Sequence, residues 1–232
     1  MKKILVTGGD GRFARVLKKV SENKYKFIFT DKKKLNILNN QSIINCLKKY
    51  KVNYVLHLAA LSRPMKIHNT NIEKSIRTNI IGTCNVALAC LKFKIKLIYF
   101  STNYVYEGKK GSYKEEDPVL PWNNYGWSKL GGESAVQMLK NSLILRVCMT
   151  EKPFIHKYAY TDVKSNFIFH EDLIKLLVKV LDKKGIYNIG GPAQNIYDFA
   201  KKYNKSVKKK YSKNNFPKNL HMNLNKLKNI IN

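Results

Sequence analysis

The 232-residue sequence predicts an α/β fold, a doubly wound parallel sheet with a small, shortened C-terminal lobe. Three observations predict it. Short, continuous apolar runs alternate with stretches of helical periodicity as far as about Cys148. A glycine-rich loop follows the first apolar run at once. Beyond Cys148 the alternation loosens. Strands that are apolar throughout are buried on both faces, and helical crossovers are what cover both faces of a parallel sheet.

Lys3 to Thr7 (KILVT) reads as the first strand, with Gly11 to Val20 as the helix after it. Lys26 to Thr30 is a second strand. Asn40-Gln41-Ser42 opens a helix with Ile43, Ile44 and Leu47 on one face. Tyr54 to Leu58 is a third strand, and Asn79 to Leu91 a helix whose apolar spacing predicts burial. Lys96 to Ser101 is a fourth strand, Tyr125 to Leu139 a helix and Ser142 to Val147 a further strand. Later, Glu171 to Leu181 is amphipathic, Gly185 to Ile189 is a strand running into a Gly190-Gly191-Pro192 turn, and Ile196 to Tyr203 is helical. Lys205 to Lys218 is the densest lysine run and reads as a solvated loop or helix face. Residues 1–149 are expected to form a dinucleotide-binding domain and 150–232 a reduced lobe of the same compact unit.

The formal charge of +29 invites a nucleic-acid reading. The kind of base argues against it. Five residues are Arg and 39 are Lys, spread along the chain beside 25 Asn and 21 Ile, a pattern of A/T-rich codons. Specific readers of bases favour the planar Arg fork. No specific nucleic-acid partner is therefore expected. The four cysteines form no C-x-x-C pair, so no metal site is expected, and a reduced, cytoplasmic setting fits. The apolar run at the start ends at Thr7, far short of a signal peptide, and no run suffices for a membrane span.

Thr7-Gly8-Gly9-Asp10-Gly11-Arg12-Phe13-Ala14 has the skeleton T-G-x-x-G-x-x-A. Gly8 permits a tight turn, Gly11 a close approach of backbone to a pyrophosphate, and Ala14 close packing of helix on sheet. Its place between a strand and a helix is the context this motif requires and marks a Rossmann-type sheet. Asp31, 20 residues beyond Gly11, stands where a carboxylate accepts hydrogen bonds from the adenosine ribose; a surface turn Asp is the alternative. Asp31 leans the cofactor towards NAD, and Lys32, Lys33 and Lys34 keep NADP open.

Tyr125-Gly126-Trp127-Ser128-Lys129 is Y-x-x-x-K, an i, i+4 pair on one helix face. A neighbouring ammonium stabilises a phenolate, so that the tyrosine can exchange a proton with an alcohol or carbonyl oxygen near neutral pH. The pair gains meaning from its position one loop after Ser101-Thr102, at the strand end where ligand crevices form. Either hydroxyl there can bind a reacting oxygen or cap the strand end.

Together these stretches resemble the extended short-chain dehydrogenase/reductase family, and most closely its dTDP-4-dehydrorhamnose reductase group. The resemblance rests on Thr7 to Ala14; Asp31 to Ile37 (DKKKLNI), in which Asn36 replaces a customary Asp; His57 to Ala60; Ser101 to Gly108; Pro121 to Glu133; Leu143 to Val147; and Glu171 to Leu177. It implies Thr102, Tyr125 and Lys129 as a catalytic triad. It implies Gly8, Gly11, Arg12, Phe13, Asp31, Asn36, Ile37, Leu58, Ala59, Ala60, Asn79 and Lys129 as cofactor-binding residues, with NAD or NADP as cofactor. Asn79 would support a proton relay, with helix packing as the alternative. The expected activity is reduction of a 4-keto-deoxysugar nucleotide. Epimerases and dehydratases of the family use the same triad, and one relative is a non-catalytic regulatory subunit of methionine adenosyltransferase. The family also implies a homodimer. The chain departs from the family after Arg146, where only 24 residues precede Glu171 and the substrate-gripping loops are cut down. Arg63, Lys66, Trp122, Phe154, His156 and Lys157 are candidates for the substrate cleft.

Overall fold

The computed structural model describes residues 1–19, 24–213 and 216–231. The chain divides into two compact units. The first comprises Met1–Ser101, Asn124–Leu145 and Lys183–Gly185; the second comprises Thr102–Asn123, Arg146–Asp182 and Ile186–Asn232.

The first unit opens with β1 (Lys2–Thr7), α1 (Arg12–Leu17) and β2 (Tyr25–Thr30). Helix α1 is shorter than the predicted Gly11 to Val20: it ends at Leu17, and Lys18 and Lys19 form a turn; Val20 lies outside the described residues. Next come α2 (Asn40–Tyr50), β3 (Tyr54–His57), two single turns α3 (Ile67–Thr70) and α4 (Ile72–Ser75), a π-helical segment Ile76–Ile81, and α5 (Gly82–Lys92). Strand β4 (Lys96–Thr102), helix α6 (Asn124–Gln137) and strand β5 (Ser142–Val147) complete this part. The polar start predicted for α2 is confirmed one residue earlier: the Asn39 side chain accepts from the Ser42 N–H at 2.9 Å and so satisfies one of the first-turn donors.

Burial follows the apolar pattern in the strands. Ile4, Leu5 and Val6 have no exposed surface, and every residue of β4 and β5 is buried. The helix predicted over Asn79 to Leu91 requires correction. Its first part is π-helical, and Leu88 and Leu91 are 63% and 62% exposed. The buried residues of α5 are Gly82, Thr83, Val86, Ala87, Ala89 and Cys90, a strip narrower than the apolar composition of the helix.

Later elements are β6 (Met149–Thr150), β7 (Tyr158–Tyr160), β8 (Lys164–Ser165), β9 (Ile168–Phe169), α7 (His170–Val180), β10 (Gly185–Ile189), β11 (Gln194–Asn195), α8 (Ile196–Tyr203), β12 (Lys208–Lys210) and α9 (Asn225–Ile231). The six-stranded sheet has the order β10-β5-β4-β3-β1-β2. β1 pairs in parallel with β2 and with β3, and β3 with β4. The order reverses between β1 and β3, and in open α/β sheets ligands bind at such a reversal, outside the carboxyl ends of the strands. This is the Rossmann-like α/β architecture predicted.

In the second unit Phe154, Ala159, Phe169, Phe199, Ala200 and Val207 form a core. The lysine run read as loop or helix face contains a strand instead: β12 pairs in parallel with β7, its three lysines all exposed. Residues 214–215 of that run lie outside the described residues. Thr102–Asn123 is bound to later chain by buried polar contacts: Arg146 Nη1 donates to the Tyr106 hydroxyl at 2.8 Å and to the Glu115 carbonyl at 3.0 Å, and Asn188 donates to the Glu115 carboxylate and the Tyr113 carbonyl.

Candidate active site

The loop after β1 is shaped by its contact with the segment after β3. Gly8 has φ +67°, and a Cβ there would lie 2.8 Å from Ala59 Cα and N. Both requirements select glycine. The Gly9 N–H donates to the Thr30 carbonyl and the Gly11 N–H to the Gly8 carbonyl, so the turn is closed on itself and on β2. Gly11 caps α1 in extended conformation with no side-chain hydrogen bond, and the N-terminus of a helix is where an anion is favoured. Arg12 is exposed and reaches Ser62 Oγ at 3.4 Å. Phe13 is buried against Phe100, so its contribution to a cofactor is limited to its backbone.

Asp31 Oδ1 accepts from the Lys34 N–H at 2.8 Å. This bond, with Lys33 and Lys34 nearby, holds the carboxyl below its usual range, so it is an anion at neutral pH. Asn36 Oδ1 accepts from the Leu38 N–H and its own N–H donates to Ser42. Ile37 is buried, close enough to Gly82 that a Cβ there would lie 2.6 Å from it. Leu58 and Ala59 are half-buried and Ala60 is exposed, an open edge beside the loop of β1.

Beneath this surface runs a chain of buried hydrogen bonds. Thr7 Oγ1 accepts from the Ala59 N–H at 3.1 Å and pairs with His57 Nδ1 at 2.8 Å; His57 Nε2 pairs with Thr83 Oγ1 at 3.1 Å; Thr83 donates to the Asn79 carbonyl. Asn79 is fully buried. Its Oδ1 accepts from the Leu61 N–H, and its Nδ2 donates to the Leu61 carbonyl and to Ser128 Oγ. Both amide hydrogens are used, which makes Asn79 a clamp between the post-β3 segment and α6. Ser128 in turn donates to the Tyr125 carbonyl at 2.8 Å.

Tyr125 and Lys129 lie in the first turns of α6, Tyr125 half-buried and Lys129 only 4% exposed. The Lys129 ammonium sits 4.1 Å from the centroid of the Tyr99 ring, and the Tyr99 hydroxyl donates to the Lys129 carbonyl. Burial lowers the Lys129 pKa to about 7, with the Glu133 carboxylate opposing the shift. Burial, with the charge of Lys129 adding to it, lowers His57 to about 3, so His57 is neutral. Glu133 has no exposed surface and accepts from Ser101 Oγ and from Gln137 Nε2. Ser101 is thereby committed to Glu133 and is set aside as a partner for a reacting oxygen. Close packing of α6 depends on Gly132, where a Cβ would lie 2.6 Å from the Asn79 carbonyl.

Thr102, in the second unit, ends β4. It is 5% exposed, and its Oγ1 accepts from the Tyr104 N–H at 3.3 Å. Among the cleft candidates, Phe154 is a core residue, packed on Phe167 and Phe199. An aromatic residue between two loops reads equally as core or cleft, and here burial decides. Trp122 packs on Tyr104 and Phe216; Lys66, His156 and Lys157 are exposed, and Arg63 is half-buried.

The sequence reading missed Tyr99, Glu133 and the role of His57. The i, i+4 spacing of Lys129 and Glu133 was a visible signal for one of them. The others show only as polar groups inside apolar strands.

A family model described as the RmlD substrate binding domain matches residues 1–150. The chain belongs to this family. Among relatives of this RmlD-family chain, dTDP-4-dehydrorhamnose reductase of Aggregatibacter actinomycetemcomitans is 26% identical over 228 residues, covering 86% of the chain and 77% of the relative. Methionine adenosyltransferase 2 subunit beta of Pongo abelii is 29% identical over 157 residues, covering 63% of the chain and 46% of that protein. The crystal structure of dTDP-4-dehydrorhamnose reductase from Bacillus anthracis in complex with NADP superposes with a TM-score of 0.86 at 23% identity, covering 98% of the chain and 92% of the other. At that identity the superposition establishes the fold. No helix among the described residues is long and apolar enough to cross a membrane.

Proposed function

We propose that this chain is an NAD(P)H-dependent reductase of a 4-keto-deoxysugar nucleotide of the dTDP-4-dehydrorhamnose type. The observation that carries the reading is the Tyr125/Lys129 pair on α6, with the lysine buried and its pKa brought to about 7. The family membership and the similarity along most of the chain to a dTDP-4-dehydrorhamnose reductase support it.

The residues present fit a dinucleotide. The loop at Gly8 has no room for a side chain, α1 begins directly after it, and an anionic Asp31 follows β2. Gly11, without a side chain, would let the backbone approach the pyrophosphate, and the N–H groups of Arg12 and Phe13 would face it. Asp31, Asn36 and Ile37 would receive the adenosine, Leu58, Ala59 and Ala60 would line the path onward, and Lys129 would bind the nicotinamide ribose. When bound, the cofactor supplies a hydride. Tyr125 donates its phenolic proton to the substrate oxygen as the carbonyl becomes an alcohol. Lys129, able to hold or release a proton near neutral pH, stabilises the phenolate left behind and returns its proton. Asn79 keeps α6 in register through Ser128. A homodimer through α5 and α6 covers the exposed Leu88, Leu91 and Trp127, and a cytoplasmic setting suits a nucleotide-sugar substrate.

The test is incubation with NADPH or NADH and dTDP-4-keto sugars. Net oxidation of the cofactor supports the reductase. Interconversion of sugars without net oxidation points to an epimerase. Absence of both, with binding to an unrelated enzyme that persists in Tyr125→Phe, points to a regulatory subunit.

A further inference from the structure

His68 is a buried titratable side chain for which the proposed chemistry has no use. It is 1% exposed, on the single turn α3. Nδ1 pairs with Ser75 Oγ at 2.7 Å, which fixes the rotation of the ring. The imidazole packs on the phenol of Tyr125, ring centroids 5.1 Å apart and planes at 55°. The His68 carbonyl accepts from Asn124 Nδ2 at 3.2 Å, and Asn69 Oδ1 accepts from the same amide at 3.0 Å, so this turn also grips the first residue of α6. Nε2 is buried and makes no hydrogen bond among the described residues. A buried nitrogen without a partner is destabilising. A leucine or phenylalanine would fill the space without that cost but could not be pinned by Ser75.

We propose that His68 is a positioning residue for Tyr125, its imidazole locked by Ser75 and braced against the phenol ring so that the hydroxyl is held in one place. Burial lowers the pKa of His68 against the opposing effect of the nearby Ser62 backbone, so it braces as a neutral ring. Tyr125 is thus held at two points: through its backbone by Asn79 and Ser128, and through its ring by His68 and Ser75. A reacting group displaced by about 1 Å can lose about a hundredfold in rate, and a phenol near the start of a helix has rotamer freedom to lose.

The kinetic arm of the test rests on the reductase reading. In His68→Ala, kcat is expected to fall about 10- to 100-fold with both KM values within about twofold. His68→Phe, which restores a ring, is expected to recover most of that loss, and Ser75→Ala to fall between. The second arm does not depend on activity. Fluorotyrosine is incorporated and the ¹⁹F resonance of residue 125 is assigned by its absence in Tyr125→Phe. That resonance is expected to shift and broaden in His68→Ala and to return towards its original position in His68→Phe. An unchanged resonance in His68→Ala overturns the proposal, as does a kcat within about twofold of the parent or a rise confined to KM. A wild-type chain that reduces no keto sugar nucleotide defeats the functional reading, and the resonance still decides the role of His68.

Discussion

Lys129 and Tyr99 form a buried cation–π pair, the ammonium 4.1 Å from the ring centroid on the strand next to β5. The same tyrosine binds the Lys129 carbonyl, so β4 sets both the end and the root of the lysine side chain. Burial takes this charge out of water and brings the pKa down to about 7, while the Glu133 carboxylate acts in the opposite sense.

The neighbouring His57 predicts a pH dependence of stability. Its pKa is about 3 in the folded chain, against about 6.5 unfolded. Between those values the unfolded state binds a proton that the folded state refuses. The contribution is therefore complete above about pH 6.5 and is lost as pH falls towards 3, at up to about 1.4 kcal/mol per pH unit. Denaturant titrations should show wild type losing stability over this window more steeply than His57→Gln, which carries no titratable group. Equal slopes would contradict the assignment of a neutral His57.

Much of this centre was legible in the sequence because local rules decided it. The bounds of β5, β10 and α8 follow their apolar runs, and the glycine loop falls where a strand meets a helix. What escaped was set by distant chain. Helix α5 is apolar all round, so periodicity could not say that Leu88 and Leu91 face outward. Strand β12 is a lysine run that becomes a strand only by pairing with β7, some fifty residues earlier. Ser101 and Thr102 are adjacent hydroxyls at one strand end, and only the buried Glu133 shows which is already engaged.

At the loop, Gly8→Ala introduces a methyl group 2.8 Å from the Ala59 backbone at a φ of +67°. The strained backbone costs about 1–3 kcal/mol, and the loop must move away from β3. NAD(P)H affinity, read by nicotinamide fluorescence, is expected to fall at least about tenfold, with a lower melting temperature.

Cofactor choice is expected to turn on Asp31. Its carboxylate favours a free ribose hydroxyl and repels a 2′-phosphate, while Lys32, Lys33 and Lys34 act in the opposite sense. Asp31→Ala should move the ratio of NADP to NAD affinities about tenfold towards NADP, and calorimetric titration of both cofactors measures it.

Helices α5 and α6 carry exposed Leu88, Leu91 and Trp127. Sedimentation is expected to show a dimer, and Leu88→Glu combined with Leu91→Glu a folded monomer, because two carboxylates cannot be buried unpaired at an interface.

The central claim is that Tyr125 completes a hydride transfer to a sugar-nucleotide ketone. The most direct measurement is a single turnover with dTDP-4-dehydrorhamnose and cofactor deuterated at the transferring carbon. The account predicts deuterium at C4 of the product sugar, formed about 10²- to 10⁴-fold more slowly by Tyr125→Phe with cofactor affinity unchanged. Sugar recovered without deuterium from the wild-type chain, or equal rates for the two proteins, would contradict it.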